Sequence, residues 1–267
     1  SRRRSRRSSW RPRRSWAEGV GPLEQALLER RERVGTLWAV LLDPDSLPPD
    51  ELAATASAVE EAGADLILVG GSSAAPGVFE LAMKTIRQRT SLPVVLFPGS
   101  YHQVVDGAHG ILFTTLLSGR NPQYLAEEQV RGAERVLRHG IEPLPTAYLL
   151  VESGVPTTVQ KVSGTTPLSR TDHAEVLRHV WAARLMGMRW VYLEAGSGAK
   201  DPVPVDLLRE VVEQGGVQVI VGGGLRTPEA IAERVACGPA MVVTGNVLET
   251  RRDASFLGEF AKAAHRH

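Results

Sequence analysis

The segment "YLEAGSG" (192–198) ends an apolar run on a tyrosine and a glutamate and then turns into small residues. With the preceding "WV" it reads as a β-strand that runs into a glycine turn. Side chains alternate along a strand, so Tyr192 and Glu194 share one face and Leu193 takes the other. An ordinary strand exit accounts for the turn, and so does a phosphate-binding corner with a carboxylate aimed into it. The choice depends on what surrounds the strand.

Seven more β-branched or aliphatic runs share its character: "LWAVLL" (37–42), "LILV" (66–69), "VVLF" (94–97), "ILF" (111–113), "TAYLLV" (146–151), "QVIV" (218–221) and "MVV" (241–243). Amphipathic stretches separate them, among them "PDELAATASAVEEAG" (49–63), "PQYLAEEQVRGAERVLRHG" (122–140), "DHAEVLRHVWAARLMGM" (172–188) and "TPEAIAERVACG" (227–238). In the last, Thr227 is suited to the N-cap and Pro228 to the first helical position. Continuous apolar strands joined by helices predict a parallel sheet covered on both faces. Eight of them in this length predict an α/β fold, a modified (β/α)8 TIM barrel, with a doubly wound open sheet as the alternative. The connection "PGSYHQVVDGAHG" (98–110) is too short for a helix and its loops, so one barrel helix is missing or reduced after the third strand.

The 267 residues, 43% of them hydrophobic, suffice for one full core. The single cysteine, Cys237, excludes an internal disulfide and a cysteine-based zinc site, which suits a reducing cytoplasm. No apolar run reaches the roughly 20 residues of a membrane span, and the basic N-terminus has no apolar region of the signal-peptide kind. The net charge of +1 averages two unlike parts. "SRRRSRRSSWRPRRSW" (1–16) holds eight of the 31 basic residues and no acid, leaving 23 basic against 30 acidic residues beyond it, a body near −7. Such a segment buries too little to offset its ordering entropy. Residues 1–20 are therefore predicted to be a disordered arm and 21–267 a single barrel domain. The arm suits nucleic acid or an anionic surface, but it is assigned no function and no nucleic-acid partner is expected.

A barrel enzyme gathers its site where the strands end. Those ends carry Asp43, Gly70-Gly71-Ser72, Pro98-Gly99-Ser100, Ser118-Gly119-Arg120, Glu152, Glu194, Gly222-Gly223-Gly224 and Gly245-Asn246, whereas the opposite ends are plain connections. "VGGGLRTPEAI" (221–231) and "VTGNVLE" (243–249) follow the seventh and eighth strands, where this fold commonly holds phosphate on backbone N–H groups. Asn246 offers an amide there, or simply a left-handed turn. Asp43 and the Ser72 hydroxyl are oxygen ligands of the kind Mg²⁺ takes alongside phosphate. Asp45 reads better as a turn residue, Ser72 equally well as a helix cap, and His102 and His109 as loop histidines. Glu194 is placed to act as a general base toward a hydroxyl or to accept hydrogen bonds from a polyol. No G-x-S-x-G elbow and no G-x-G-x-x-G fingerprint occurs.

Taken together, "LLDPDS", "LILVGGSSA", "VVLFPGS", "LLSGRNPQYL", "TAYLLVESGVPTTVQKVSGTTPL", "VYLEAGSGAKDPVP", "VGGGLRTPEAI" and "VTGN" resemble the geranylgeranylglyceryl phosphate synthase family and its bacterial relatives, in family order from about residue 22 to 250. "LFPGS" and "SGTTPL" resemble the branch with larger oligomers. The resemblance implies a cytoplasmic prenyltransferase that joins sn-glycerol 1-phosphate to a polyprenyl diphosphate, with Mg²⁺ at Asp43 and Ser72. It places the glycerol phosphate at Tyr192, Leu193, Glu194, Ala195, Gly196, Ser197, Gly198, Gly223, Gly224, Gly245 and Asn246, with Glu194 and Tyr192 catalytic. It implies a homo-oligomer, a hexamer ahead of a dimer, and transient contact with a membrane surface for product release. One departure is Leu41, where some bacterial relatives carry Lys. Leu116, Leu117, Tyr124, Tyr148 and Val151 are expected to wall the prenyl groove. The rival enzyme reading is an isomerase or cyclase of a phosphorylated sugar, and the rival non-enzymatic one is an RNA-associated scaffold.

Overall fold

A computed structural model of the chain describes residues 19–71, 75–245, 247, 251 and 253–265. Residues 1–18 of the expected arm, Ser72 and Asn246 lie outside these. Among the described residues eight parallel strands close into a barrel: β1 (Leu37–Leu42), β2 (Leu66–Val69), β3 (Val94–Leu96), β4 (Gly110–Leu116), β5 (Glu142–Leu150), β6 (Trp190–Glu194), β7 (Gln218–Gly222) and β8 (Met241–Thr244). The seam is the β1–β8 pair, in register from Leu37 opposite Met241 to Val40 opposite Thr244. The open-sheet alternative is thereby excluded.

The helices are α1 (Pro22–Val34), α2 (Pro49–Ala62), α3 (Pro76–Arg87), α4 (Glu128–His139), α5 (Thr158–Ser163), α6 (His173–Leu185), α7 (Val205–Gly215), α8 (Pro228–Val235) and α9 (Ala254–Ala264). Their ends follow local chemistry. Thr227 caps α8 by accepting from Ala230 N at 3.2 Å, and Asp172 caps α6 by accepting from Glu175 N at 3.0 Å. Between β3 and β4 there is only a 3₁₀ turn at Tyr101–Gln103, so the barrel helix expected to be missing is absent there. No helix among the described residues is long and apolar enough to cross a membrane.

The structure lengthens some expected strands. β5 starts at Glu142 rather than at 146 and runs through Pro143 and Pro145. The prolines are tolerated because β6 pairs with β5 only from Thr146 onward, while Glu142 and its even-numbered successors bond toward β4. The ring nitrogens therefore face a side with no ladder to break.

Alternation divides each strand between two apolar layers. Leu37, Ala39, Leu68, Val95, Leu112, Leu144, Trp190, Tyr192, Ile220 and Met241 fill the barrel, whereas Trp38, Val40, Val191, Leu193, Val221 and Val242 pack under the helices. Helix α1, which strand and helix periodicity did not single out, closes the barrel's N-terminal end. Its Leu27 and Val34 join the inner layer, and its Glu24, 1% exposed, accepts from Trp190 Nε1 at 2.8 Å and pairs with Arg189 at 2.6 Å. The helix has no side-chain cap of its own. The buried Glu142 carboxylate of β5 takes over, accepting from Leu23 N and Glu24 N, each at 2.8 Å. Glu142→Ala would strand both donors and is expected to cost about 2–4 kcal/mol, read as a lowered thermal midpoint, while Glu142→Gln recovers part of the loss.

Candidate active site

The C-terminal ends of the strands enclose one continuous cavity. At its base Tyr192 and Glu194 of β6 project inward, two residues apart, while Leu193 and Ala195 point into the outer layer. The Glu194 carboxylate is 6% exposed and accepts from Gly196 N at 2.6 Å. The Tyr192 hydroxyl also donates to it. Phe97 stacks on the Tyr192 ring with centroids 5.3 Å apart, and Tyr148 meets the same ring edge-on at 5.4 Å. These rings shut out water on one side of the carboxylate.

Burial pushes the Glu194 carboxyl up to about 7, even though the Gly196 N–H and the Tyr192 hydroxyl both favour its charged form. Burial, helped by the neighbouring Glu194 charge, raises the Tyr148 and Tyr192 phenols well above their usual range. Both phenols thus stay donors at neutral pH, while the carboxyl exchanges its proton there. An acid–base group poised near the working pH is what general base catalysis requires.

Glycine backbone forms the wall beside Glu194. Gly223 has φ +80°, and a Cβ at this position would land on the Glu194 carboxylate and on Gly196 N. Gly196, at φ +99°, similarly leaves no room for a side chain against Thr157, the N-cap of α5. Ser197, Gly198, Gly223, Gly224 and Gly245 all line this corner, which opens beside Asp43 at the end of β1. Asp43 is half-buried, and its Oδ1 accepts from Asp45 N at 2.8 Å. An added Cβ at Gly71 would stand 2.6 Å from that same oxygen, so the β2 end is close against the carboxylate.

From this corner the cavity leaves the barrel sideways. It passes Phe97, Leu116, Tyr124 and Tyr148, crosses to the outer face of β4 at Ile111 and Phe113, and runs between Tyr101, Val104 and Gly132 of α4. The missing helix makes this exit. Three features depart from the sequence expectation. Leu117 and Val151, expected as groove walls, belong to the layer under the helices, because the side-chain alternation of β4 and β5 turns them outward. Ser118, Arg120 and Glu152 at strand ends stay out of the cavity: Ser118 Oγ accepts from Leu150 N at 3.0 Å, Arg120 folds onto Gly119 O at 2.7 Å, and Glu152 accepts from Arg170 N at 3.3 Å. His109, expected to be a loop histidine rather than a ligand, accepts from Val94 N at 2.9 Å and lies outside the cavity lining, in line with that reading. Sequence reading missed Val159, Val162 and Ser163 of α5 and Arg226, all in the lining, since a six-residue helix within a Ser/Thr/Gly loop leaves no periodic signal.

Two outcomes test this geometry. Glu194 has its folded carboxyl above the ordinary value, so its stabilising contribution is complete below about pH 4.5 and is lost as pH rises through about 7. Glu194→Gln is therefore expected to stabilise the fold at pH 8 by an amount on the order of 1–3 kcal/mol, read as a raised thermal midpoint, and to leave the midpoint unchanged near pH 4.5. Gly223→Ala is expected to fold but to lose turnover by about 100-fold or more, because the carboxylate has to move.

The family model described as the PcrB family matches residues 28–264. The chain is 42% identical over 229 residues to geranylgeranylglyceryl phosphate synthase of Korarchaeum cryptofilum, covering 85% of this chain and 94% of that one. It is 38% identical to geranylgeranylglyceryl phosphate synthase of Flavobacterium johnsoniae over 227 residues, covering 85% and 93%. The crystal structure of (S)-3-O-geranylgeranylglyceryl phosphate synthase from Thermoplasma acidophilum in complex with sn-glycerol-1-phosphate superposes with a TM-score of 0.85 at 35% identity, covering 91% of this chain and 98% of that one. The barrel that surrounds Glu194, its glycine corner and its side exit is the PcrB family barrel, and the chain belongs to that family.

Proposed function

We propose that the protein transfers a prenyl group from a polyprenyl diphosphate to the C3 hydroxyl of sn-glycerol 1-phosphate, giving an ether-lipid precursor and pyrophosphate. The observation that carries the reading is the buried Glu194 carboxyl, near 7, at the meeting point of a glycine-walled corner and an apolar side groove. Relatives named for this reaction, and a related structure holding sn-glycerol-1-phosphate, support it. An isomerase or cyclase of a sugar phosphate has no use for the groove over Ile111 and Phe113.

In this reading the acceptor's phosphate lies against Ser197, Gly198, Gly223, Gly224 and Gly245, with Asn246 next in the chain. Its C3 hydroxyl points to Glu194. As the C3 oxygen attacks the allylic carbon, the new C–O bond forms and the bond to the diphosphate breaks. The hydroxyl proton passes to Glu194, and Tyr192 holds the carboxylate on the line of transfer. Phe97 and Tyr148 exclude water, which would otherwise capture the electron-poor allylic carbon.

Mg²⁺ fits the donor set at the β1 end. Asp43 provides carboxylate oxygen at the cavity edge, with the hydroxyl of Ser72 close in sequence to Gly71. Among the described residues no cluster of three or more His, Cys, Asp or Glu side chains forms a metal cage. A hard ion that draws most of its ligands from phosphate oxygens and water needs only such a partial site. When bound, it supplies charge neutralisation for the leaving diphosphate.

The reading carries a homo-oligomer too, a hexamer ahead of a dimer. Trp181, Leu185 and Met186 at the end of α6 are 41%, 88% and 63% exposed, an apolar face that a second copy would cover. The prenyl chain length follows from how far the groove runs past Gly132.

The test is incubation with Mg²⁺, labelled glycerol 1-phosphate and C15 to C35 prenyl diphosphates, with organic-soluble label measured. Product is expected, with kcat/KM rising with pH through about 7 as Glu194 loses its proton. Glu194→Gln should lower it by about 10²–10⁴-fold and flatten that profile. Asp43→Ala should abolish it and Mg²⁺ removal should do the same. No product at any chain length would overturn the reading.

A further inference from the structure

A cavity that takes both a glycerol phosphate and a diphosphate has to balance several negative charges. Among the described residues that line it, the carboxyl groups are Asp43, Glu128 and Glu194, and the one cation is Arg226. Across the glycine corner β1 contributes Leu41, whose side chain lies 3.4 Å from where a Cβ on Gly245 would be, so no positive charge comes from that side. Arg226 follows directly on the corner residues Gly223, Gly224 and Leu225, and its exposed side chain reaches back to two carbonyls. Its Nη2 donates to Ala199 O at 2.6 Å and its Nη1 to Lys200 O at 3.4 Å. Those carbonyls end the "YLEAGSGAK" turn, so Arg226 clasps the β6 loop to the β7 loop, the two halves of the corner.

We infer that Arg226 is the binding residue that neutralises the acceptor's phosphate, and that its clasp on Ala199 and Lys200 holds both loops at the spacing the phosphate requires. The inference rests on the proposed placement of that phosphate in the corner. A guanidinium has five N–H donors in one plane. Two serve the carbonyls and others remain for an anion, so the charge reaches the ligand with part of its rotamer entropy already lost. A lysine brings the charge but cannot span two carbonyls and a phosphate at once.

The experiment compares the full-length wild type with Arg226→Met and Arg226→Lys in the Mg²⁺-dependent assay, varying one substrate at a time. In Arg226→Met the KM for glycerol 1-phosphate is expected to rise about tenfold or more, as befits loss of a charged hydrogen bond, with the KM for the prenyl diphosphate unchanged and the larger part of the effect outside kcat. Inorganic phosphate competing with the acceptor should lose potency by the same factor, and Arg226→Lys should recover part of both. An unchanged acceptor KM, an equal rise in both KM values, or a raised acceptor KM with phosphate inhibition intact each overturns the inference. Wild-type turnover in the same assay separates these failures from a failure of the proposed reaction. If the wild type does not turn over, calorimetric titration with inorganic phosphate decides, and equal affinity in wild type and Arg226→Met overturns the inference.

Discussion

The inward face of β6 is the constraint on which both ends of the molecule depend. Trp190, Tyr192 and Glu194 occupy alternate positions on that strand, and one register serves all three. Trp190 fixes the floor by donating to Glu24 of α1, Tyr192 builds the aromatic wall, and Glu194 reaches the mouth. A slip of one residue would place Leu193 at the mouth and turn the carboxylate into the layer under the helices. The β6 contacts on both sides, from Trp190 opposite Thr146 and Gln218 to Glu194 opposite Leu150 and Gly222, make such a slip costly. The buried carboxylate is therefore positioned by the same apolar alternation that builds the barrel.

Much of this arrangement was legible in the sequence because it rests on short-range rules. "LWAVLL" and "LILV" became β1 and β2 with the expected bounds, since uninterrupted β-branched and aliphatic runs have few other stable uses in an α/β protein. The short "PGSYHQVVDGAHG" connection foretold the missing helix by length alone. Tyr192 and Glu194 were assigned one face from strand geometry. The remainder depends on distant partners. Helix α1 escaped notice because Glu142, over a hundred positions away, supplies the cap that its own sequence lacks. Leu117 and Val151 were assigned to the groove on polarity, which does not distinguish the two apolar layers of a barrel. Arg226 sits in "GGGLRTPEAI", where the glycines drew the reading. Its part becomes visible only when Ala199 and Lys200 are folded against it.

The loss of a helix after β3 has a functional side as well as a structural one. In a closed ring of helices the outer faces of Ile111 and Phe113 would be buried against a neighbour. Here they line the same cavity as Glu194 and Gly132. In the proposed reaction the apolar chain would enter along this route and the polar acceptor over the glycine corner. In the proposed reading the two substrates approach from different sides, and the aromatic cluster of Phe97, Tyr148 and Tyr192 lines the cavity beside the carboxylate. The proposed placement therefore sorts the two substrates by polarity before any chemistry takes place.

The charges around the cavity divide along the same line. Burial lifts the Glu194 carboxyl to about 7, so near neutral pH it carries only part of its charge, while Asp43 is half-buried at the cavity edge. Backbone N–H groups and one arginine suit a monophosphate, which needs few counter-charges and a fixed orientation. A diphosphate facing Asp43 would be repelled unless a cation accompanied it. In the proposed reading the acceptor's phosphate is met by groups of the chain itself and the diphosphate by an added divalent cation, so acceptor binding is expected to be far less sensitive than donor binding to the concentration of divalent ions.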